Sequence, residues 1–79
     1  MQVEVRVFAT LRRYTPDLPI GGALHLDIET GTSLADLRDR LGLPEAEVKL
    51  VMVNSLQADF SDTVSEGDRI AFIPAVAGG

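Results

Sequence analysis

Cysteine and tryptophan are absent from this chain, histidine occurs once, and the aromatic complement is three phenylalanines and one tyrosine. Without cysteine there is no disulfide framework, no thiolate metal site and no cysteine nucleophile. If the protein handles sulfur, a side chain does not carry it. Basic residues are scarce as well, seven Lys and Arg against twelve Asp and Glu, a formal net charge of −5. The phosphate attraction behind nucleic-acid binding is therefore missing, and anionic membranes repel such a chain. The expectation is no nucleic acid, no membrane, and a protein partner with a basic face. No apolar run approaches the ~20 residues that span a bilayer, and the opening Met1-Gln2-Val3-Glu4-Val5 lacks the basic patch and apolar stretch of a signal peptide. A cytoplasmic location is expected. A phosphate-binding glycine loop of the required spacing is also lacking.

What is present suits one small globular domain: 79 residues, 46% hydrophobic and 24% charged, too short for two cores. Gln2 to Ala9 alternates, with Val3, Val5, Val7 and Ala9 on one face and Phe8 on the other, the period of a half-buried strand. Thr10 to Gly22 holds Pro16, Pro19 and Gly21-Gly22, with room for one helical turn over Leu11 to Tyr14. Ala23 to Glu29 alternates again and predicts an antiparallel hairpin with the first strand. Thr32 or Ser33 then caps a helix whose Leu34, Leu37 and Leu41 recur along one face, and Gly42 with Pro44 ends it. Leu50 to Val53, apolar without alternation, reads as a strand covered on both faces or nearly so. Asn54-Ser55 and Ser65 to Asp68 are turns, with at most one short strand between them. Arg69 to Ile73 is the last strand, stopped at Pro74. The order β-β-α-β-(β)-β predicts a two-layer α+β domain over residues 1–74, a mixed sheet of four to five strands packed against one main helix.

Residues 75–79, Ala75-Val76-Ala77-Gly78-Gly79, form an expected flexible Gly-Gly tail with no ionisable side chain. Extended, it reaches roughly 16 to 18 Å. Its two final residues have no Cβ to clash in a narrow channel. The reactive group is then the C-terminal carboxylate of Gly79, an anion at neutral pH and a poor electrophile until activated. Adenylation by a partner that binds ATP and Mg²⁺ is one route, with the metal offsetting charge as pyrophosphate leaves. A terminal Gly-Gly alone is weak, since chance gives it in about 0.5% of chains.

Joined to the strand before it, the ending Ala71-Phe72-Ile73-Pro74-Ala75-Val76-Ala77-Gly78-Gly79 resembles that of molybdopterin synthase small subunits, sulfur-carrier proteins of the MoaD/ThiS type. Phe8-Ala9-Thr10-Leu11-Arg12, Val53-Asn54 and Glu66-Gly67-Asp68 are similar to the family too, so the likeness runs the length of the chain. Arg13 stands where the family often has an acidic residue, and Ala75 where it commonly has a second proline. The resemblance implies the ubiquitin-like β-grasp fold and a carrier rather than an enzyme. It implies adenylation of Gly79 by a ubiquitin-activating-like adenylyltransferase that uses ATP and Mg²⁺, with no cofactor held by the carrier itself. A thiocarboxylate then forms, and the large subunit of molybdopterin synthase docks the carrier to complete its active site. Val76, Ala77 and Gly78 would give the sulfur passage. Carriers for thiazole or cysteine synthesis, and ubiquitin-like protein modifiers, share these features and remain alternatives.

Alternation also puts Phe8 and Ile73 on the outward sheet face beside the tail, with Leu56 joining them if its loop turns that way. These three are candidate partner-docking residues, unless the loop from Thr10 to Gly22 folds over them. Asp59, Asp62, Glu66 and Asp68 are expected near the tail, either meeting basic partner residues or simply solvated. His25 reads as a solvated strand residue. Arg38 and Arg40, with Asp36 and Asp39, read as the polar side of the helix.

Overall fold

The computed structural model describes residues 1–18 and 21–75. Strand β1, Gln2–Val7, buries Val3, Val5 and Val7 at the expected period. It stops two residues earlier than the alternation suggested. Ala9 leaves the strand at φ 49 and opens a 3-10 turn over Ala9–Tyr14. Ala9 is exposed, and Leu11 fills the core position instead. Burying a leucine removes more apolar surface from water than burying an alanine, which offsets the left-handed alanine at about 1 to 2 kcal/mol.

Strand β2, Leu24–Asp27, pairs antiparallel with β1, setting Val3 opposite Leu26 and Glu4 opposite His25. It is shorter at both ends than the expected Ala23 to Glu29, although Ile28 still enters the core. Helix α1, Leu34–Arg40, begins at Ser33, whose Oγ accepts from the Asp36 N–H at 3.0 Å. The Asp36 carboxylate accepts in return from the Ser33 N–H at 3.4 Å, which completes a capping box. Thr32 is not the cap, because its hydroxyl donates to the Glu29 carbonyl at 2.7 Å. Leu34 and Leu37 are buried against the sheet, and Leu41 sits half-buried at the C-cap.

Arg38 departs from the expected polar face and is 8% exposed. The Leu34 and Ala35 N–H groups donate to the Asp62 and Phe60 carbonyls, both at 2.9 Å, tying the helix start to the loop that follows strand β4 (Leu56–Ala58). That loop covers one flank of a short helix. The Arg38 guanidinium lies 5.4 Å from the Phe60 ring centroid and pairs with Asp39 at 3.0 Å.

Strand β3 covers Val48–Val53 and β5 covers Arg69–Pro74. The five strands make one mixed sheet in the order β2-β1-β5-β3-β4, with β1 and β5 parallel at its centre and the other pairs antiparallel. Two sequence expectations change here. Strand β3 starts at Val48, before an irregularity between Val48 and Leu50, and its cover is uneven: Val51 is buried toward the helix, while Val53 on that face and Leu50 and Met52 on the other are half-buried. Strand β5 runs through Pro74, opposite Val48. The ladder to β1 has already ended at Phe72, so the proline nitrogen forfeits no bond on that side. Ile70 and Phe72 of β5 are buried under α1, in contact with a core that includes Val5, Val51 and Leu37. Among the described residues, no helix is long and apolar enough to cross a membrane.

Candidate functional site

Once the register is known, the outward face of the sheet follows by alternation. With Val5, Val7, Ile70, Phe72 and Val51 buried toward the helix, the side chains of Arg6, Arg69, Ala71, Ile73 and Met52 point away from it. Phe8 follows Val7 in extended conformation, φ −122 and ψ 154, and continues the outward alternation. Phe8, Met52, Ala71 and Ile73 line an open groove of about 370 Å³, with Arg6 and Arg69 also on its wall. Phe8 is 43% exposed, so the described part of the loop after it does not bury this face. That loop turns to the other side, where Leu11 is buried and Tyr14 and Leu18 pack against the core.

Leu56 does not join Phe8 and Ile73. Its register partner is Val53, which lies opposite Ile70, so Leu56 points to the helix side of the sheet. There, at the end of a three-residue edge strand, it is 74% exposed. The β4 residue on the groove side is Gln57, opposite Met52. The loop does turn back as a hairpin, but two left-handed residues, Asn54 (φ 51) and Ser55 (φ 73), set a register that sends the leucine to the wrong face. Arg6, Met52, Arg69 and Ala71 were not singled out from sequence. Arg6 is readable as the period-two companion of Phe8, and Arg69 and Ala71 as those of Ile73; Met52 needs the strand order.

The root of the tail is held just past the end of β5. The Ala75 N–H donates to the Glu47 carbonyl at 3.4 Å. The Glu47 carboxylate accepts from both the Arg13 guanidinium and the Tyr14 hydroxyl. The hydrogen bond to Tyr14, and then the charge of Glu47, hold the Arg13 pKa above the usual arginine value. Val76, Ala77, Gly78 and Gly79, the tail residues named from sequence, lie outside the described residues.

Two of the four acidic residues fall elsewhere than expected. Glu66 and Asp68 precede Arg69, at the opposite end of β5 from Pro74, and both act on backbone. The Gln2 N–H donates to Glu66 at 2.5 Å, and the Ser65 N–H donates to Asp68 at 2.8 Å. Asp62 accepts from the Asp59 N–H at 3.0 Å, closing the turn after β4. His25 is exposed on edge strand β2. Among the described residues, no group of three or more His, Asp or Glu side chains could hold a metal ion.

Comparison with protein families matches residues 5–79 to the model described as the ThiS family. No curated protein matches the chain. Among solved structures, SAMP1 from Haloferax volcanii superposes with a TM-score of 0.71 at 20% identity, covering 100% of both chains. Urm1 from Trypanosoma brucei gives 0.71 at 23% identity, covering 99% of this chain and 95% of that one. In a complex of subunits 1 and 2 of the molybdopterin-converting factor from Helicobacter pylori, one chain gives 0.63 at 23% identity and 100% coverage of each. At these identities the likeness establishes the fold, which is the ubiquitin-like β-grasp.

Proposed function

The chain belongs to the ThiS family of ubiquitin-like sulfur carriers, and from that premise we propose that it serves as the small subunit of molybdopterin synthase, with Gly79 as its working residue. The Gly79 carboxylate attacks the α-phosphate of ATP on a ubiquitin-activating-like adenylyltransferase, and pyrophosphate leaves with Mg²⁺ offsetting its charge. Sulfide equivalents from a donor then displace AMP from the acyl-adenylate, forming a C-terminal thiocarboxylate. The observation that carries this reading is the position of one face at the root of the tail: on the outward sheet surface where β5 ends at Pro74, Phe8 stands exposed and Ile73 half-buried in the groove wall. A partner that grips this face meets the end of β5 and Ala75, from which the tail continues in sequence.

Docking on Phe8 and Ile73 places residues 75–79 within a reach of roughly 16 to 18 Å, enough to enter an active site on the large synthase subunit. Val76 and Ala77 span the entrance, and Gly78 passes where a Cβ would collide. The carrier brings no catalytic side chain; it completes the large subunit's site by supplying the sulfur atom. Support for a large-subunit partner comes from the complex of subunits 1 and 2 formed by the H. pylori protein.

The test is the intact mass of the chain after incubation with the adenylyltransferase, ATP, Mg²⁺ and sulfide. Exchange of one oxygen for one sulfur at Gly79 supports the carrier reading, and deletion of Gly79 abolishes it. Conversion of a pyranopterin precursor by the charged chain and the large subunit decides the acceptor, against a thiazole or cysteine pathway. An activated chain that gains no sulfur but appears in lysine conjugates of higher mass is a protein modifier instead.

A further inference from the structure

The net charge of −5 predicted a partner with a basic face, but charge is not spread evenly over this molecule. Two residues lining the groove carry charge, and both are arginines. Arg6 pairs with Glu4 at 2.6 Å, which leaves its outer edge solvated at 39% side-chain exposure. Arg69 is exposed and forms no ion pair among the described residues. Its backbone is fixed, since the Arg69 N–H donates to Asn54 Oδ1 at 3.0 Å and its carbonyl accepts from the Asn54 N–H at 2.8 Å. Its register partner on the same face is Glu4, whose carboxylate is taken by Arg6, and the carboxylates of Glu66 and Asp68 are engaged by the N–H groups of Gln2 and Ser65.

We infer that this groove takes a protein segment presenting an apolar side chain between Phe8, Met52 and Ile73 with carboxylates beside it that meet Arg69 and Arg6. The inference rests on the docking face proposed above and gives its partner a chemistry opposite to the one net charge suggests. The far field of the whole chain repels acids, while at the groove, where Glu4 offsets Arg6, the guanidinium of Arg69 is left to attract them. A guanidinium presents a planar fork of donors suited to a carboxylate. A second copy of this chain is a poor occupant, because face-to-face packing would bring its own arginines against Arg6 and Arg69. Two cations on a chain of net −5 are likewise too few for a phosphate backbone.

The test titrates the full chain, isotope-labelled at methyl groups, with two synthetic peptides of equal length. Each carries one central leucine, flanked by glutamates in one peptide and by lysines in the other. The glutamate peptide is expected to shift the Met52, Ala71 and Ile73 methyl signals, and the lysine peptide to leave them in place. Arg69→Glu should weaken the glutamate peptide about fivefold or more, and Arg69→Gln should fall between, on the scale of one exposed ion pair. Both variants keep the backbone N–H that Asn54 holds, and an otherwise unchanged amide spectrum checks their fold. Equal response to the two peptides, shifts confined to another face, or no response overturns the inference. So do groove signals that move on dilution of the free chain, which would assign the groove to a second copy. The titration uses neither ATP nor the Gly79 carboxylate, so its failure is separate from failure of the mass test for sulfur loading.

Discussion

Replacing Asn54 by alanine should cost this small domain a large part of its stability, for reasons that a second substitution separates. Asn54 occupies the left-handed region at φ 51, between β3 and β4. Its side chain accepts from the Arg69 N–H at 3.0 Å and donates to Asp68 Oδ1 at 3.1 Å. Alanine loses both bonds, worth about 0.5 to 1 kcal/mol each at an exposed site. It also takes on the left-handed conformation without a local polar partner, at about 1 to 2 kcal/mol. The sum is about 2 to 4 kcal/mol, and at about 4 to 8 °C per kcal/mol for a domain of this size Tm falls by about 8 to 32 °C. Glycine loses the same bonds and escapes the conformational cost, so Asn54→Gly should be destabilised by about 1 kcal/mol less than Asn54→Ala. Urea denaturation with a shared m-value, checked by thermal melts, reads both differences. Equal losses for alanine and glycine would refute the conformational part of the reasoning. Losses below about 0.5 kcal/mol for both would refute the bridge from Asn54 to β5.

Ser33→Ala removes the hydroxyl half of the capping box and should cost about 1 kcal/mol in urea unfolding, while Thr32→Ala costs less. Phe72→Ala empties the centre of β5, where the ring is fully buried. The expected loss of about 3 to 5 kcal/mol leaves the domain marginal, visible as collapsed amide dispersion. Phe8→Ser should leave Tm within a few degrees, since the ring is 43% exposed, yet weaken association with the large synthase subunit in a calorimetric titration. Arg13→Ala should leave the urea unfolding midpoint unchanged within error, since Arg13 is 60% exposed and solvent screens its pairing with Glu47.

The elements that alternate or repeat strongly were legible from residues alone. Val3, Val5 and Val7 announced β1, and Leu34 and Leu37 announced the face of α1, because period two and period 3.6 each serve one buried side. Boundaries were less legible where a local signal competed with core burial. Ala9 matched the strand period but gave way to Leu11, and Pro74 looked like a stop yet sits in β5. Arg38 shows the same limit from the other side, since a charged residue on a helix reads as solvated until a loop from elsewhere in the chain covers it.

The candidate site divides along that line. Sequence by itself determined the chemistry available: no thiol, no metal cluster in the pattern, a glycine-ended tail, and a likeness of ending that pointed to a carrier. These are properties of adjacent residues, and chain order preserves them. Only the tertiary structure decided which side chains share the docking face, because that depends on pairing between strands far apart in sequence. Parallel pairing of β1 with β5 sets Arg6 beside Ala71, and the β3–β4 register sends Gln57 rather than Leu56 toward the groove. A shift of one residue in either ladder would exchange the two faces, so no local pattern can specify the surface that a partner meets.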